Sequence, residues 1–407
     1  MPPGFAPPGP VPPGAVPPGP VPPGSGPLPP ATGAWREGDP PGRRAWWTGA
    51  KPLVLESGAE LPGVRIAYET WGELAPDASN AVLVLHALTG DSHAAGPAEP
   101  GHPTPGWWDA LIGPGRALDT DRWFVVAPNV LGGCQGSTGP SSAGQDGRPW
   151  GSAFPRLTQR DQVAAEAGLA DELGIGRWAL VLGGSMGGMR ALEWAVSFPE
   201  RTGALMLLAT TASASAEQIA WAAIQARAIR SDPFWRGGDY HDAGPGHGPH
   251  NGLGLARRLA HVTYRSEPEL RVRFGRAPQG AEDPRQGGRY QVESYLDHHA
   301  TKLVRRFDAG SYVVLTEAMN GHDVGRGRGG TAAALRGITA PTLVAGVDSD
   351  RLYPPSQQEE LAAGIPGADR PRVIESPYGH DGFLIETDQV GALVRELTGA
   401  SGPGPRV

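Results

Sequence analysis

Three residue types fall along this chain in an order that suits acyl transfer: a serine in Gly183-Gly184-Ser185-Met186-Gly187, acids at Asp348 and Asp350, and a histidine at His380. The serine stands between an apolar strand candidate, Trp178 to Leu182, and a helical pattern, Arg190 to Ala195. A serine raised on so sharp a strand-to-helix turn is a nucleophile elbow. Small residues are needed at Gly183 and Gly187 because such a turn brings neighbouring backbone too close for a Cβ. The turn leaves Oγ beside a helix N-terminus, whose free N–H groups stabilise a developing oxyanion. Gly-rich junctions also occur where sheet and helix simply pack closely, so the elbow needs support from elsewhere. An elbow serine requires an acid and a histidine later in the chain, in that order, and both are present. Asp348 and Asp350 follow the strand candidate Pro341 to Gly346, at the carboxyl edge where ligands bind in open sheets. Spacing alone does not separate the two acids. His380 follows the strand candidate Arg372 to Glu375, a turn and Gly379.

The elements that must position these residues are legible as apolar runs. Lys51 to Leu55 and Val64 to Thr70 read as strands, followed by Ala81 to His86 and Trp123 to Pro128. With Arg177 to Leu182, Leu205 to Leu208, Leu343 to Ala345 and Val373-Ile374 they predict a mostly parallel sheet of about eight strands. Continuous rather than alternating runs suit strands covered on both faces. Helical patterns at Gln162 to Leu173 and Met189 to Phe198 supply the crossovers. Residues 212–334 then turn helical, most clearly at Gln218 to Ile229, Gly254 to Val262 and Val292 to Phe307. The expected fold is an α/β hydrolase, with its core in residues 44–211 and 335–400 and a helical lid between strands 6 and 7. Within the lid, Gly237 to Gly252 reads as a mobile loop. Its His241, His247 and His250 have no acid or cysteine spacing that would make a metal site.

Composition narrows the function classes. The first thirty residues hold fifteen Pro and six Gly, with Val-Pro-Pro-Gly units opening at Val11, Val16 and Val21. A five-residue repeat is not collagen, so residues 1–43 are expected to form a disordered, partly polyproline II tail. On that reading a chain beginning near Arg44 keeps its turnover and thermal midpoint; residues 401–407 are expected to be flexible. The net charge of −7 offers no basic surface for nucleic acid or anionic membrane, which leaves small molecules as partners. A single cysteine, Cys134, excludes an intramolecular disulfide framework and any Cys-rich metal site, and points to a reducing compartment. No apolar stretch approaches the roughly 18 residues that span a bilayer, and the N-terminus shows neither a basic n-region nor an h-region. A soluble, cytoplasmic protein without a metal is the expectation.

Seven separated blocks carry a resemblance. They are His86 to His93, Asn129 to Pro140, Gly184 to Gly188, Ala256-Arg257-Arg258, Thr263 to Ser266, Ser294 to Asp297, and Ser349 to Pro354. Together they resemble the homoserine O-acyltransferase family of the α/β-hydrolase superfamily, most closely its O-acetyltransferases, over about Leu53 to Leu397. The resemblance implies a triad of Ser185, Asp350 and His380, because Ser349-Asp350-Arg351-Leu352-Tyr353-Pro354 matches the family motif and leaves Asp348 as a solvated or turn-capping acid. The oxyanion donors would be the N–H groups of Met186, just after the nucleophile, and Leu88, in the loop that α/β hydrolases use for this purpose. Arg257, Tyr264 and Asp381 would bind the acceptor, where a guanidinium suits the carboxylate of homoserine and a carboxylate suits its ammonium. The implied reaction is ping-pong transfer from acetyl-CoA, a co-substrate rather than a bound cofactor, to the γ-hydroxyl of L-homoserine, in methionine biosynthesis. A homodimer built through the lid is also implied. Succinyl-CoA as donor, L-serine as acceptor, a serine esterase of the same fold and a silent binding protein are the alternatives. Arg257 with Asp381 is the discriminating pair, since a lipase-like pocket has no use for it.

Overall fold

Each apolar run that the sequence shows becomes a strand wherever helices can cover both its faces. The computed structural model describes residues 27–399. Eight strands form one sheet: β1 (Ala45–Thr48), β2 (Arg65–Trp71), β3 (Ala81–Leu85), β4 (Phe124–Pro128), β5 (Leu180–Gly184), β6 (Leu205–Leu208), β7 (Thr342–Val347) and β8 (Arg372–Ile374). Their spatial order is β1-β2-β4-β3-β5-β6-β7-β8. β1 and β2 pair antiparallel, as do β2 and β4, and every later pair is parallel. All residues of β3, β5, β6 and β7 are buried, which is why their sequences do not alternate. Alternate side chains still divide between two cores: Leu83, Leu85 and Val181 enter one, Val82, Val84, Leu180 and Leu182 the other.

Crossover helices supply those covers. α1 (Gln159–Glu172) starts at a capping box in which Thr158 and Asp161 bond reciprocally, and α2 (Met186–Ser197) packs between α1 and the sheet. The lid separates the sheet's sixth and seventh strands as expected. It comprises α3 (Ala216–Arg230), α4 (His250–Tyr264), α5 (Glu267–Arg273), α6 (Gln291–Val304), α7 (Ala309–Asn320) and α8 (Thr331–Arg336). α9 (Pro355–Gly364), α10 (Gly382–Ile385) and α11 (Thr387–Thr398) complete the fold. The carboxyl ends of β3 and β5 lie side by side, with Leu85 in register with Gly183, so the loops leaving them must face each other.

Three expectations are corrected. The sheet's first strand is the aromatic segment Ala45–Thr48; Leu53–Val54 instead pairs with Glu60–Leu61 in a separate hairpin. Gly58 at φ +83 turns that hairpin, and Val54 is left 64% exposed. Gly237 to Gly252 is anchored rather than free. The Tyr240 hydroxyl donates to Asp308 Oδ1 at 2.6 Å, His241 Nε2 reaches the same oxygen at 3.1 Å, and His250 opens α4. His241 is thus committed to a carboxylate inside the lid.

The third correction concerns the tail. Residues 1–26 and 400–407 lie outside the described residues, but the rest of the expected tail is packed. Ala31, Thr32 and Ala34 are buried, Thr32 Oγ1 donates to Asp308 Oδ1 at 2.7 Å, and the Gly33 and Trp35 N–H groups donate to Phe307 and Cys134 carbonyls. Burial opposes the charge on Asp308, but His241 and the hydrogen bonds from Tyr240 and Thr32 outweigh it and hold the carboxyl at about 2. Losing one bond to a buried carboxylate costs about 1.5–3 kcal/mol. A chain beginning at Arg44 is therefore expected to melt a few degrees below one beginning at Pro27, a difference that scanning calorimetry would read. Equal midpoints would show that the segment adds nothing.

Candidate active site

The elbow is built by a strand that stops at one residue. Gly184 is still in register with Leu208, and the Ser185 N–H extends the ladder by donating to the Leu208 carbonyl at 3.0 Å. Ser185 then takes φ +56 and ψ −123, a conformation costly for a residue with a Cβ, and the chain enters α2 at Met186. A Cβ on Gly187 would lie 2.0 Å from the Leu85 carbonyl oxygen, and one on Gly183 would lie 2.4 Å from Gly187 backbone. Both glycines therefore answer to the turn, as the sequence suggests. Ser185 is 5% exposed, and its carbonyl accepts from Thr210 Oγ1 at 2.9 Å.

His380 arrives on a one-turn helix after β8, Gly379–Asp381. Its Nδ1 donates to Asp350 Oδ2 at 2.7 Å, leaving Nε2 as the free basic nitrogen. The other Asp350 oxygen accepts from the N–H groups of Leu352 and Tyr353 at 2.8 and 3.0 Å, so the carboxylate cannot rotate. Asp348 is placed differently, since its side chain is exposed and Oδ1 accepts from the Ser376 N–H at 3.0 Å. Geometry thus pairs His380 with Asp350 and not with Asp348. The imidazole stacks on Tyr353 with centroids 4.8 Å apart and meets the edge of Phe383 at 5.4 Å. Burial holds the Tyr353 phenol well above its ordinary pKa, and its hydroxyl lies beside that of Ser185. Serine, phenol and imidazole share one small volume. Ser185 Oγ does not itself bond to His380, a common condition where no substrate has tightened a site.

Facing the elbow is the loop after β3. A turn closed by the Gly90 N–H on the Ala87 carbonyl, 2.9 Å, places Leu88 in the same apolar cluster as Met186. Among the described residues neither the Leu88 nor the Met186 N–H donates to a protein acceptor. The loop is fixed from behind. His86 Nε2 accepts from the Val130 N–H at 3.0 Å, so its Nδ1 carries the proton and donates to the Ala87 carbonyl at 2.7 Å. Burial and the Arg190 cation keep that ring neutral. Arg190 in turn donates to the His86 carbonyl at 2.7 Å and pairs with Glu166 at 2.5 Å, while Trp194 Nε1 donates to the same carboxylate at 2.8 Å. Arg190 and Trp194, four residues apart on α2, present one face to α1. Breaking a pair this buried leaves an uncompensated charge, at a cost of about 3–5 kcal/mol.

Beside the site lies a cavity of about 420 Å³, walled by the loop after β3 and by the lid. Arg257 and Asp381 both line it. Arg257 Nη1 donates to Thr89 Oγ1 at 3.3 Å, and its guanidinium stands 5.8 Å from the Tyr264 ring centroid. Asp381 Oδ2 is 3.4 Å from Arg265 Nε. Tyr264 instead faces a recess of about 50 Å³ with Leu88, Met189 and Tyr353, its ring 5.7 Å from His380. Gly379, at φ +64, lets the end of α4 come this close: a Cβ there would sit 2.4 Å from the Tyr264 carbonyl oxygen. Sequence reasoning assigns no role to Tyr353, Arg265 or the His86–Arg190–Glu166 chain. Tyr353 and Arg265 stand inside two of the seven resembling blocks, which is a usable signal, whereas Glu166 lies in none.

Glu69, His93 and His102 are buried with ligand atoms within 4.8 Å of one another. Those atoms are already committed. Glu69 accepts from Ser92 Oγ and bonds His93 Nδ1, both at 2.9 Å, and His102 Nε2 accepts from the Arg43 N–H at 3.2 Å. The cluster ties the N-terminal segment to β2.

With this geometry established, comparison with known proteins adds identity. Residues 80–387 match the family described as the alpha/beta hydrolase fold. The chain is 71% identical over 368 residues to the homoserine O-acetyltransferase of Thermobifida fusca (strain YX), covering 90% of this chain and 97% of that one. Among solved structures, homoserine O-acetyltransferase from Bacillus anthracis superposes with a TM-score of 0.80 at 27% identity, covering 88% of this chain and 98% of that chain. Esterase E22 superposes nearly as well, with a TM-score of 0.78 at 26% identity over 87% and 99% of the two chains. The shared architecture therefore serves both transferases and hydrolases.

Proposed function

The chain belongs to the homoserine O-acetyltransferase family of the alpha/beta-hydrolase fold, and from that membership we propose that it moves an acetyl group from acetyl-CoA to the γ-hydroxyl of L-homoserine, giving O-acetyl-L-homoserine and CoA. The observation that carries this reading beyond an esterase is the pair of opposite charges, Arg257 and Asp381, lining one cavity next to His380. Water needs neither charge. An α-amino acid needs both.

In the proposed mechanism His380 Nε2 takes the proton of Ser185 Oγ as the oxygen attacks the thioester carbonyl. Asp350, accepting from Nδ1–H, holds the imidazole in the required tautomer and stabilises its charged form. The Met186 and Leu88 N–H groups receive the oxyanion. The protonated imidazole then delivers its proton to the leaving thiolate, and an acetyl ester remains on Ser185. Homoserine binds with its carboxylate on Arg257, against Tyr264, and its ammonium on Asp381. His380 deprotonates the γ-hydroxyl, and the second tetrahedral intermediate collapses to product. No bound cofactor takes part.

No helix among the described residues is long and apolar enough to cross a membrane. We further propose a cytoplasmic homodimer built through the lid, whose surface leaves Ile224 on α3 and Leu255 on α4 more than half exposed. A donor-by-acceptor matrix, pairing acetyl- and succinyl-CoA with homoserine and serine and reading free CoA, tests the substrates. Fastest turnover with any pair other than acetyl-CoA and homoserine overturns them.

Removing Arg257 separates the half-reactions. Arg257→Ala should still release a burst of CoA stoichiometric with enzyme, since the first half-reaction has no amino acid to hold. Loss of a charge-assisted contact is worth about 2–3 kcal/mol, or roughly 30- to 150-fold in kcat/KM for homoserine. The wild-type acetyl-enzyme should survive in water much longer than it survives with homoserine present. Equally fast CoA release with and without homoserine, with acetate as product, would replace the transferase with an esterase.

A further inference from the structure

The loop that carries Leu88 ends on a buried charge that the steps of acyl transfer leave without a role. Glu69 on β2 is 1% exposed, and among the described residues no arginine or lysine lies within ion-pair distance of it. His93 meets that charge instead. His93 Nδ1 lies 2.9 Å from Glu69 Oε2, and Nε2 lies 3.2 Å from the Pro97 carbonyl oxygen. A carboxylate and a carbonyl only accept, and a neutral imidazole donates from one nitrogen alone, so both bonds together require the imidazolium. Burial opposes that charge, but the Glu69 carboxylate outweighs it and holds the ring above the ordinary histidine value. His102, stacked on His93 with centroids 3.9 Å apart, is the neutral ring of the two. Its Nε2 accepts from the Arg43 N–H, and burial together with the cations of Arg44 and His93 depresses it to about 3.

The same carboxylate also holds the preceding residue, since Ser92 Oγ donates to Glu69 Oε1 at 2.9 Å. Asp91 is fixed beside them: its Oδ1 accepts from the His93 N–H at 2.9 Å, and its carbonyl accepts from Trp107 Nε1 at 3.0 Å. At the other end of the loop His86 is anchored to Val130 and Arg190. Residues 87–91 therefore bridge two fixed points, and the Leu88 N–H lies on that bridge. So short a span has no slack, and moving residue 93 turns the peptide planes behind it. A buried ion pair holds such a point more strictly than apolar contact does, because separating its members strands a charge.

We propose that His93, paired with Glu69, is a positioning residue for the oxyanion loop, acting through the Leu88 N–H in both half-reactions; this rests on the acyl-transfer reading above. An oxyanion donor serves both tetrahedral intermediates, whereas a residue that binds one substrate serves one. The test is single-turnover kinetics on wild type, His93→Ala and His93→Asn, reading the CoA burst with acetyl-CoA alone and then the loss of acetyl-enzyme in saturating homoserine. His93→Ala should slow both steps by similar factors, each about a hundredfold, the size expected when one donor is misdirected. The burst amplitude should stay at one CoA per enzyme, which separates misdirection from a fraction of unfolded protein, and the homoserine concentration giving half the maximal rate should stay within about twofold. His93→Asn, whose amide nitrogen can stand where Nδ1 stands, should restore most of both rates. If His93→Ala does not fold, Glu69→Gln, which keeps the size and the Ser92 bond and withdraws the charge, should show the same equal slowing at full burst amplitude. Slowing of one half-reaction alone, a fall in amplitude at unchanged rates, or unchanged rates with a lower thermal midpoint would each overturn the inference. Absence of any acetyl-enzyme in wild type is a different result: it removes the acyl-transfer reading, and this inference with it.

Discussion

Ser185→Ala is expected to lower turnover by about a millionfold while leaving the fold intact, the scale seen when the serine of a Ser-His-Asp triad is removed. The substitution deletes one oxygen at a site whose Cβ already tolerates φ +56, and the hydrogen bonds that hold the turn, from the Ser185 N–H to the Leu208 carbonyl and from the Thr210 hydroxyl to the Ser185 carbonyl, stay in place. Stability should therefore stay within about 0.5 kcal/mol. Rapid-quench intact-mass measurement after mixing wild type with acetyl-CoA alone should show one added acetyl group, mapped to Ser185 and missing from the variant. Labelling at another residue, or no label together with sequential kinetics, would sink the covalent mechanism.

What the sequence reveals and what it hides divide by distance along the chain. The elbow is legible because its requirements are local: a strand, two glycines and a helix start within a dozen residues. The order of serine, acid and histidine is legible because each follows its own strand. Composition misleads for Pro27 to Arg43, since Pro and Gly supply little apolar area. What holds that segment is a set of contacts far along the chain, among them the Thr32 hydroxyl reaching a carboxylate 276 positions away and the Gly33 and Trp35 N–H groups donating to the Phe307 and Cys134 carbonyls. The same holds for Glu166 and Arg190, which read as ordinary polar positions of two amphipathic helices and are in fact 1% and 0% exposed. Gly237 to Gly252 has the composition of a free loop, but Tyr240 buries its ring and spends its hydroxyl on Asp308. Long-range polar contacts of this kind leave no periodic trace in a single sequence.

Asp350→Asn should reduce turnover on the order of a thousandfold or more, the size of loss seen when a triad imidazole is given the wrong tautomer. The reason is written in the acid's other contacts. Asp350 Oδ1 accepts from the Leu352 and Tyr353 N–H groups, so an asparagine must keep its carbonyl oxygen there and turn its amide toward His380. That amide donates to Nδ1 at the position where Oδ2 now accepts, 2.7 Å away, and drives the imidazole proton onto Nε2. The nitrogen that must take the serine proton is then already protonated, and the imidazolium formed in the transition state loses its compensating charge. Asp348→Asn is the control, because its one bond, accepted from the Ser376 N–H at 3.0 Å, is equally available to an amide oxygen. It should change turnover by less than about twofold. Measured against the same acetyl-CoA and homoserine concentrations, a large loss at position 348 with little at 350 would mean that the histidine is oriented by the other acid when substrate is bound.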